Sequence, residues 1–265
     1  MFRHQGARRS DRDNRILAGY LAFFGGFVNS AGFLLIGSFT SHVTGSVGRF
    51  ANDVVSRQID AAVAALTLVV AFFVGAFIVT MTLESAFFGR TPRAYGAALA
   101  TEALLLVAFT LTSGLTRQAH PRLMDAEAAI LCVAMGMQNA LVTRVSGAVV
   151  RTTHLTGVVT DIGIEAARWF RWWRGALSAR FHVPLSFGRN PAERPAGVKL
   201  ALLATIAGAF TLGAVGGAVS GTALHHAAMI LPAIGVGALS AYAFATDRRG
   251  VNSIRPGPGP GGASP

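Results

Sequence analysis

Charge is what this chain has least of. Only 13% of its 265 residues are Asp, Glu, Lys or Arg, while 52% are hydrophobic and the mean hydropathy is +0.50. A soluble domain carries about twice that charge. Cysteine is nearly absent too: Cys132 stands alone in an apolar run, so no internal disulfide can form and a buried thiol is expected. Lys199 is the only lysine, and no Walker A lysine motif exists. G-x-S-x-G, C-x-x-C, H-E-x-x-H and H-x-x-E-H are all missing, which removes the common hydrolase and zinc signatures. These absences exclude a soluble enzyme, a disulfide-rich secreted module and a disordered chain. The reading is a non-enzymatic protein with no cofactor and no metal.

What is present is apolar sequence in blocks of membrane-spanning length. A hydrocarbon core of ~30 Å needs about 20 helical residues. Spans are predicted at Ile16–Gly37, Ala61–Leu83, Tyr95–Leu115 and, shorter, Ala128–Thr143. From Lys199 to Asp247 only His225 and His226 interrupt the apolar run, predicting two more helices, 200–219 and 226–245, hinged at Ser220-Gly221-Thr222, with Pro232 a candidate kink in the last. The expected fold is therefore all-α: a polytopic integral membrane bundle of six transmembrane helices. The first block is too long for a signal h-region and lacks an A-x-A-like site, so it reads as a retained anchor.

The net charge of +11 rests almost wholly on arginine. Arginines crowd the tail 1–15, the segment 168–198 and the start of the tail 247–265, whose Pro-Gly composition reads as disordered. The positive-inside rule makes all three cytoplasmic, with both termini inside. Arg90 and Arg93 against Arg117 and Arg122 leave the middle loops undecided. The run Ala167-Arg-Trp-Phe-Arg-Trp-Trp-Arg-Gly175 could stack single-stranded nucleic acid, but beside a membrane helix it reads as an interfacial aromatic belt. The partners expected are the lipid bilayer and a small solute, with no nucleic acid. The 31 glycines, many within the spans, allow close helix approach and a homo-oligomer.

A repeat organises the membrane domain, residues 16–246. Gly26-x-x-Asn29 is followed by Ser41-His42-Val43-Thr44-Gly45, and Gly136-x-x-Asn139 by Thr153-His154-Leu155-Thr156-Gly157. An acid, Asp53 or Glu165, follows each copy at the same distance and is expected at the interface. Repeat one covers 16–116 and repeat two 126–246, with a cytoplasmic linker near 168–198. Three spans per copy invert the second relative to the first, so the two His-x-Thr-Gly segments, broken or re-entrant, should meet from opposite faces. If each segment crosses fully, eight crossings and parallel repeats result instead.

Thr44 and Thr156 stand where helix N-caps belong. Helix N-termini inside a membrane offer N–H groups and positive dipole ends to an anion. The predicted substrate-binding set is His42, Thr44, Gly45, His154, Thr156 and Gly157, supported by Asn29 and Asn139. Glu102, alone inside the third span, is either a proton carrier or a helix–helix tie. His225-His226 is expected at the interface. The function these residues suggest is a transporter or channel for a small, preferably anionic solute; a scaffold, sensor or partner-binding subunit is the alternative.

The residues Gly26-Phe-Val-Asn29-Ser-Ala-Gly-Phe33 and Phe39-Thr-Ser-His-Val-Thr-Gly45 resemble the YoaK-like bacterial membrane proteins, domain of unknown function 1275. That family's first helix commonly reads Gly-Phe-[VI]-Asp-[AS]-x-Gly-[FY] and ends in a Ser-His-[MV]-Thr-Gly-Asn-like segment. Asn29 replaces the usual aspartate here and Ser46 the usual asparagine. If that aspartate carries protons in relatives, this chain lacks the step. The resemblance covers residues 14 to about 246 and implies a six-helix inner-membrane protein; it supplies no substrate.

Overall fold

A computed structural model of the protein describes residues 10–84, 91–116, 121–145, 154–181 and 194–252. Arg3, Arg8, Arg9, Arg90, Arg117, Thr153, residues 182–193 of the linker and the tail from residue 253 lie outside the described residues. Every element among the described residues is helical: α1 (Asp11–Ile36), α2 (Val43–Val55), α3 (Ile59–Glu84), α4 (Pro92–Thr116), α5 (Pro121–Val145), α6 (Leu155–Phe181), α7 (Gly197–Leu224) and α8 (Ile230–Asn252), with a 3-10 turn at His225–Met229 between the last two. Five stretches are long and apolar enough to cross a membrane: α1, α3, most of α4, most of α5, and Gly197–Asp247. The last holds 51 residues, which is both α7 and α8.

Local chemistry sets the helix ends. Ser10 Oγ accepts the Asp13 N–H at 3.1 Å, and Asp11 and Asp13 complement the positive end of α1, so this helix starts before the apolar run does. It stops at Gly37, whose φ of +72° suits glycine and whose N–H donates to Phe33 O. Pro92 and Pro121 open α4 and α5, where no intrahelical N–H is needed. Pro232 lies in the first turn of α8, where a missing N–H is tolerated.

Two expectations are corrected. The reversal between α7 and α8 is at His225, with φ +53°, and not at Ser220-Gly221-Thr222. Gly221 is buried against Ala31 of α1, so the helix continues through it, and the turn comes where Ala228 and Met229 can fill the bundle centre at 0% exposure. The helix caps expected at Thr44 and Thr156 are also displaced: α2 begins at Val43 with His42 as its N-cap, and α6 begins at Leu155, directly after His154.

Packing pairs the helices across the two halves of the sequence. α1 runs parallel to α7, with Gly19 by Thr205 and Gly221 by Ala31. α3 runs parallel to α5; Glu84 at the end of one meets Arg144 near the end of the other. α4 and α8 are antiparallel: Arg93 pairs with Asp247 at 2.6 Å at one end, and Thr110 lies by the His226 carbonyl at the other. At the crossings backbone touches backbone. A Cβ on Gly26 would strike the Phe210 carbonyl, one on Gly213 the Phe23 carbonyl, one on Gly136 the Phe72 carbonyl and one on Gly75 the Val133 carbonyl. Setting Gly26 on Gly136 and Gly75 on Gly213 also sets Phe23 on Val133 and Phe72 on Phe210. The two crossings are thus the same contact made twice.

α2 and α6 stand apart from the spans. α2 has 13 residues, about 20 Å, too short for a ~30 Å core, and none of them is buried. α6 is long enough but carries too much charge to be a candidate span. It runs to Phe181, so the first part of the expected linker is helical. Large apolar side chains of α3, among them Val70, Phe73 and Phe77, point outward, as a lipid-facing wall requires.

Gly213→Ala and Gly75→Ala should each lower the unfolding midpoint of the detergent-solubilised protein, equivalent to about 1–3 kcal/mol of overpacking. Gly208→Ala, in α7 with nothing near its Cβ, should instead be neutral or stabilising. Equal effects at the three positions would contradict the crossing geometry.

Candidate functional site

The starts of α2 and α6, each with the histidine just before it, converge on one cavity of about 540 Å³. Ser41, His42, Val43 and Thr44 form one wall, and His154, Leu155 and Thr156 another. Phe72 and Thr80 of α3, with Asn139, Ala140, Thr143 and Arg144 of α5, complete it. The parallel α3–α5 pair makes this possible, because Gly75 and Gly136 draw the two helices close and present Thr80 and Asn139 to the same space.

Each histidine lies over the first turn of the helix that follows. A Cβ on Gly45 would come within 2.8 Å of His42 Cε1, and one on Gly157 within 2.8 Å of His154 Cε1. Glycine at the third helical position leaves the room the imidazole occupies. Neither Gly45 nor Gly157 lines the cavity; both act by placing a histidine that does. His42 makes no side-chain cap hydrogen bond to its helix, so its ring is not committed to the backbone.

Of the predicted residues, His42, Thr44, His154, Thr156 and Asn139 come together at the cavity. Asn29 does not line it: its Oδ1 accepts both the N–H and the hydroxyl of Ser41, at 3.1 and 3.0 Å, tying the broken segment back to α1. Beside this tie Phe33 stacks on Phe39 at 4.3 Å, and Phe39 turns its ring edgewise to His42 at 6.1 Å. The stack borders a smaller hollow of about 180 Å³, lined also by His42 and Arg49, whereas the larger cavity lies by Asn139.

Sequence reasoning missed Arg144, Thr143, Thr80 and Phe72. Among the described residues Arg144 is the one arginine, lysine or carboxylate on the wall, and its Nη1 sits 2.5 Å from Glu84 Oε1. Only the periodicity of α5 hinted at it: Thr143 and Arg144 lie about one turn beyond Asn139 and Ala140 and so share their face. Among the described residues, no three His, Cys, Asp or Glu side chains gather closely enough to hold a metal ion.

Glu102 is fully sequestered at 1% exposure, between α4 and α5. Gln138 Nε2 donates to its Oε1 at 2.9 Å, while Oε2 has no partner among the described residues. Gln138 precedes cavity-lining Asn139 on α5. The repeat-linked acids behave differently from one another. Asp53 faces Arg49 at 3.7 Å, and Glu165 is buried against Arg168 and Lys199. His225 is exposed and His226 half-buried.

Residues 17–242 match the sequence family described as protein of unknown function, DUF1275. The chain belongs to that family. No curated protein and no solved structure matches it. For this DUF1275 protein the resemblance of its first-helix motif thus extends over nearly the whole membrane domain, with Asn29 engaged by Ser41 where relatives commonly carry aspartate.

The Glu102–Gln138 pair generates a test by double-mutant cycle. Glu102→Leu leaves the buried Gln138 amide unpaired and should cost about 1–3 kcal/mol, read as a lower unfolding temperature in detergent. The double variant Glu102→Leu/Gln138→Leu should recover most of that loss. Additive losses would show that the two side chains do not act as a pair.

Proposed function

We propose that this protein is a transporter or channel for a small anionic solute in a bacterial inner membrane, with six spans and both termini cytoplasmic. The observation that carries the proposal is the cavity that His42 and His154, from two separate copies of one motif, line together with Arg144. In this reading the copies are inverted repeats: α1 to α4 form one, α5 to α8 the other, and each helix runs opposite to its counterpart. The reciprocal glycine crossings and the antiparallel α4–α8 pair support it.

The chemistry follows from the donors. The first turns of α2 and α6 offer unpaired N–H groups and positive dipole ends. Thr44 and Thr156 lie in those turns, Asn139 and Thr143 add polar contacts, and Arg144 supplies fixed positive charge. An anion entering the cavity competes with Glu84 for the Arg144 guanidinium, so binding and release of the ion pair are linked. With the termini inside, Arg144 and Glu84 lie at the cytoplasmic end, as do Arg93 and Asp247. In this reading the cavity opens inward, and the smaller hollow beside Phe33, Phe39 and His42 faces the outer end. Glu102, joined through Gln138 to the helix that carries Asn139, is placed to exchange a proton in step with the solute.

A second reading, a non-transporting scaffold or sensor, draws support from Asn29, whose hydrogen bonds to Ser41 serve only to hold a broken helix in place.

Flux in proteoliposomes separates the two. Across a panel of small anions and neutral solutes, the wild type should move at least one anion. His42→Ala, His154→Ala and Arg144→Gln should each slow that flux by about tenfold or more, the value of one charge-assisted hydrogen bond. Absence of flux for every solute, from protein proven folded and inserted, would leave the scaffold reading standing.

A further inference from the structure

A second hollow, sharing no residue with the central cavity, lies where α6 passes the start of α7. At its floor Glu165 is 3% exposed, and its Oε1 accepts Arg168 Nη1 at 2.8 Å and lies 3.1 Å from Lys199 Nζ. One buried carboxylate thus holds two cationic heads side by side. Arg171 and Arg194 complete the wall of a space of about 570 Å³. Among the described residues, four cations against one carboxylate leave three positive charges in excess. Arg194 is further held over the rings of Trp169 and Trp172, at 5.9 and 5.5 Å from their centroids.

The surroundings say which phase this hollow meets. α6 is too polar to span a bilayer, yet it turns Val159, Phe170 and Trp173 outward at 58%, 55% and 52% exposure. A helix with that stripe lies in the headgroup region of a membrane. Lys199 opens α7, on the same end of the bundle as the Arg93–Asp247 pair, by the parallel run of α1 with α7 and the antiparallel run of α4 with α8.

We propose that this hollow binds a phosphate group, either the phosphodiester of an anionic lipid headgroup or the phosphate of a soluble anion. Guanidinium forks match phosphate oxygens in pairs, which favours Arg171 and Arg194 as the first contacts. Arg168 and Lys199 already neutralise Glu165 and add their remaining N–H donors at the floor. A zwitterionic headgroup is disfavoured, because its ammonium would meet the excess positive charge.

The test uses the full chain in neutral detergent. Binding of phosphatidylglycerol, cardiolipin and phosphatidylcholine is followed by native mass spectrometry, and binding of inorganic phosphate by calorimetry. Anionic lipid should bind in preference to phosphatidylcholine, and Arg171→Gln/Arg194→Gln should weaken it by about thirtyfold, roughly fivefold per arginine. Arg12→Gln/Arg180→Gln, an equal loss of charge outside the hollow, should leave it unchanged. Loss of inorganic phosphate binding in the same variant, without lipid preference, would assign the site to a soluble anion. If the double variant fails to fold, the single exposed Arg171→Gln carries the fivefold expectation. No preference for anionic lipid together with no phosphate binding, or an equal loss in the control pair, overturns the proposal.

Discussion

Everything in this bundle depends on backbone meeting backbone at four glycine crossings. Lipid is as apolar as a leucine side chain, so helices in a membrane gain little by hiding apolar surface from it; they associate by close van der Waals contact, which small residues permit. Gly26 and Gly213 bring α1 against α7, and Gly75 and Gly136 bring α3 against α5. Each pair joins a helix from the first half of the chain to one from the second. The halves therefore interlock, and neither can form its core without the other.

The same crossings decide where open space remains. Near the centre the packing is closed by Ala228 and Met229, pressed in from the reversal between α7 and α8. Several polar groups in that packed region find a partner: Tyr20 donates to the Gly235 carbonyl, Ser240 to the Gly96 carbonyl and Gln138 to Glu102. A bilayer supplies no water to satisfy them otherwise. Beyond the α3–α5 crossing the helix ends diverge. There Thr80, Asn139, Thr143, Arg144 and the two histidines line a common cavity, while Asn139 Nδ2 also donates to the Met135 carbonyl and Thr143 Oγ1 to the Asn139 carbonyl.

The two motif copies show how near-identical sequence is put to unequal use. Asn29 is consumed by Ser41, with Phe33 and Phe39 stacked alongside, whereas Asn139 stands on the cavity wall beside Thr143 and Arg144. At the crossings the correspondence is exact in kind, glycine under carbonyl. It fails at the ends, where Leu34 takes the place that Arg144 has in the second copy.

By itself the sequence determined the class of protein, the positions of its apolar helices and the paired His-x-Thr-Gly motif. These are local properties: twenty apolar residues satisfy their own backbone as a helix wherever they sit, and a motif is read within a dozen positions. Helix ends were less legible: Gly37 was, but α4 and α5 begin at Pro92 and Pro121 where Tyr95 and Ala128 were expected. Only the tertiary structure decided that α7 runs on through Gly221, because that glycine is held straight by Ala31 of a distant helix. It alone brought Arg144 to the cavity, tied Glu102 to Gln138, and turned Glu165 from an expected surface acid into the buried floor of a basic hollow. Each of those outcomes is set by a partner far away in the chain, and no local pattern encodes the partner's position.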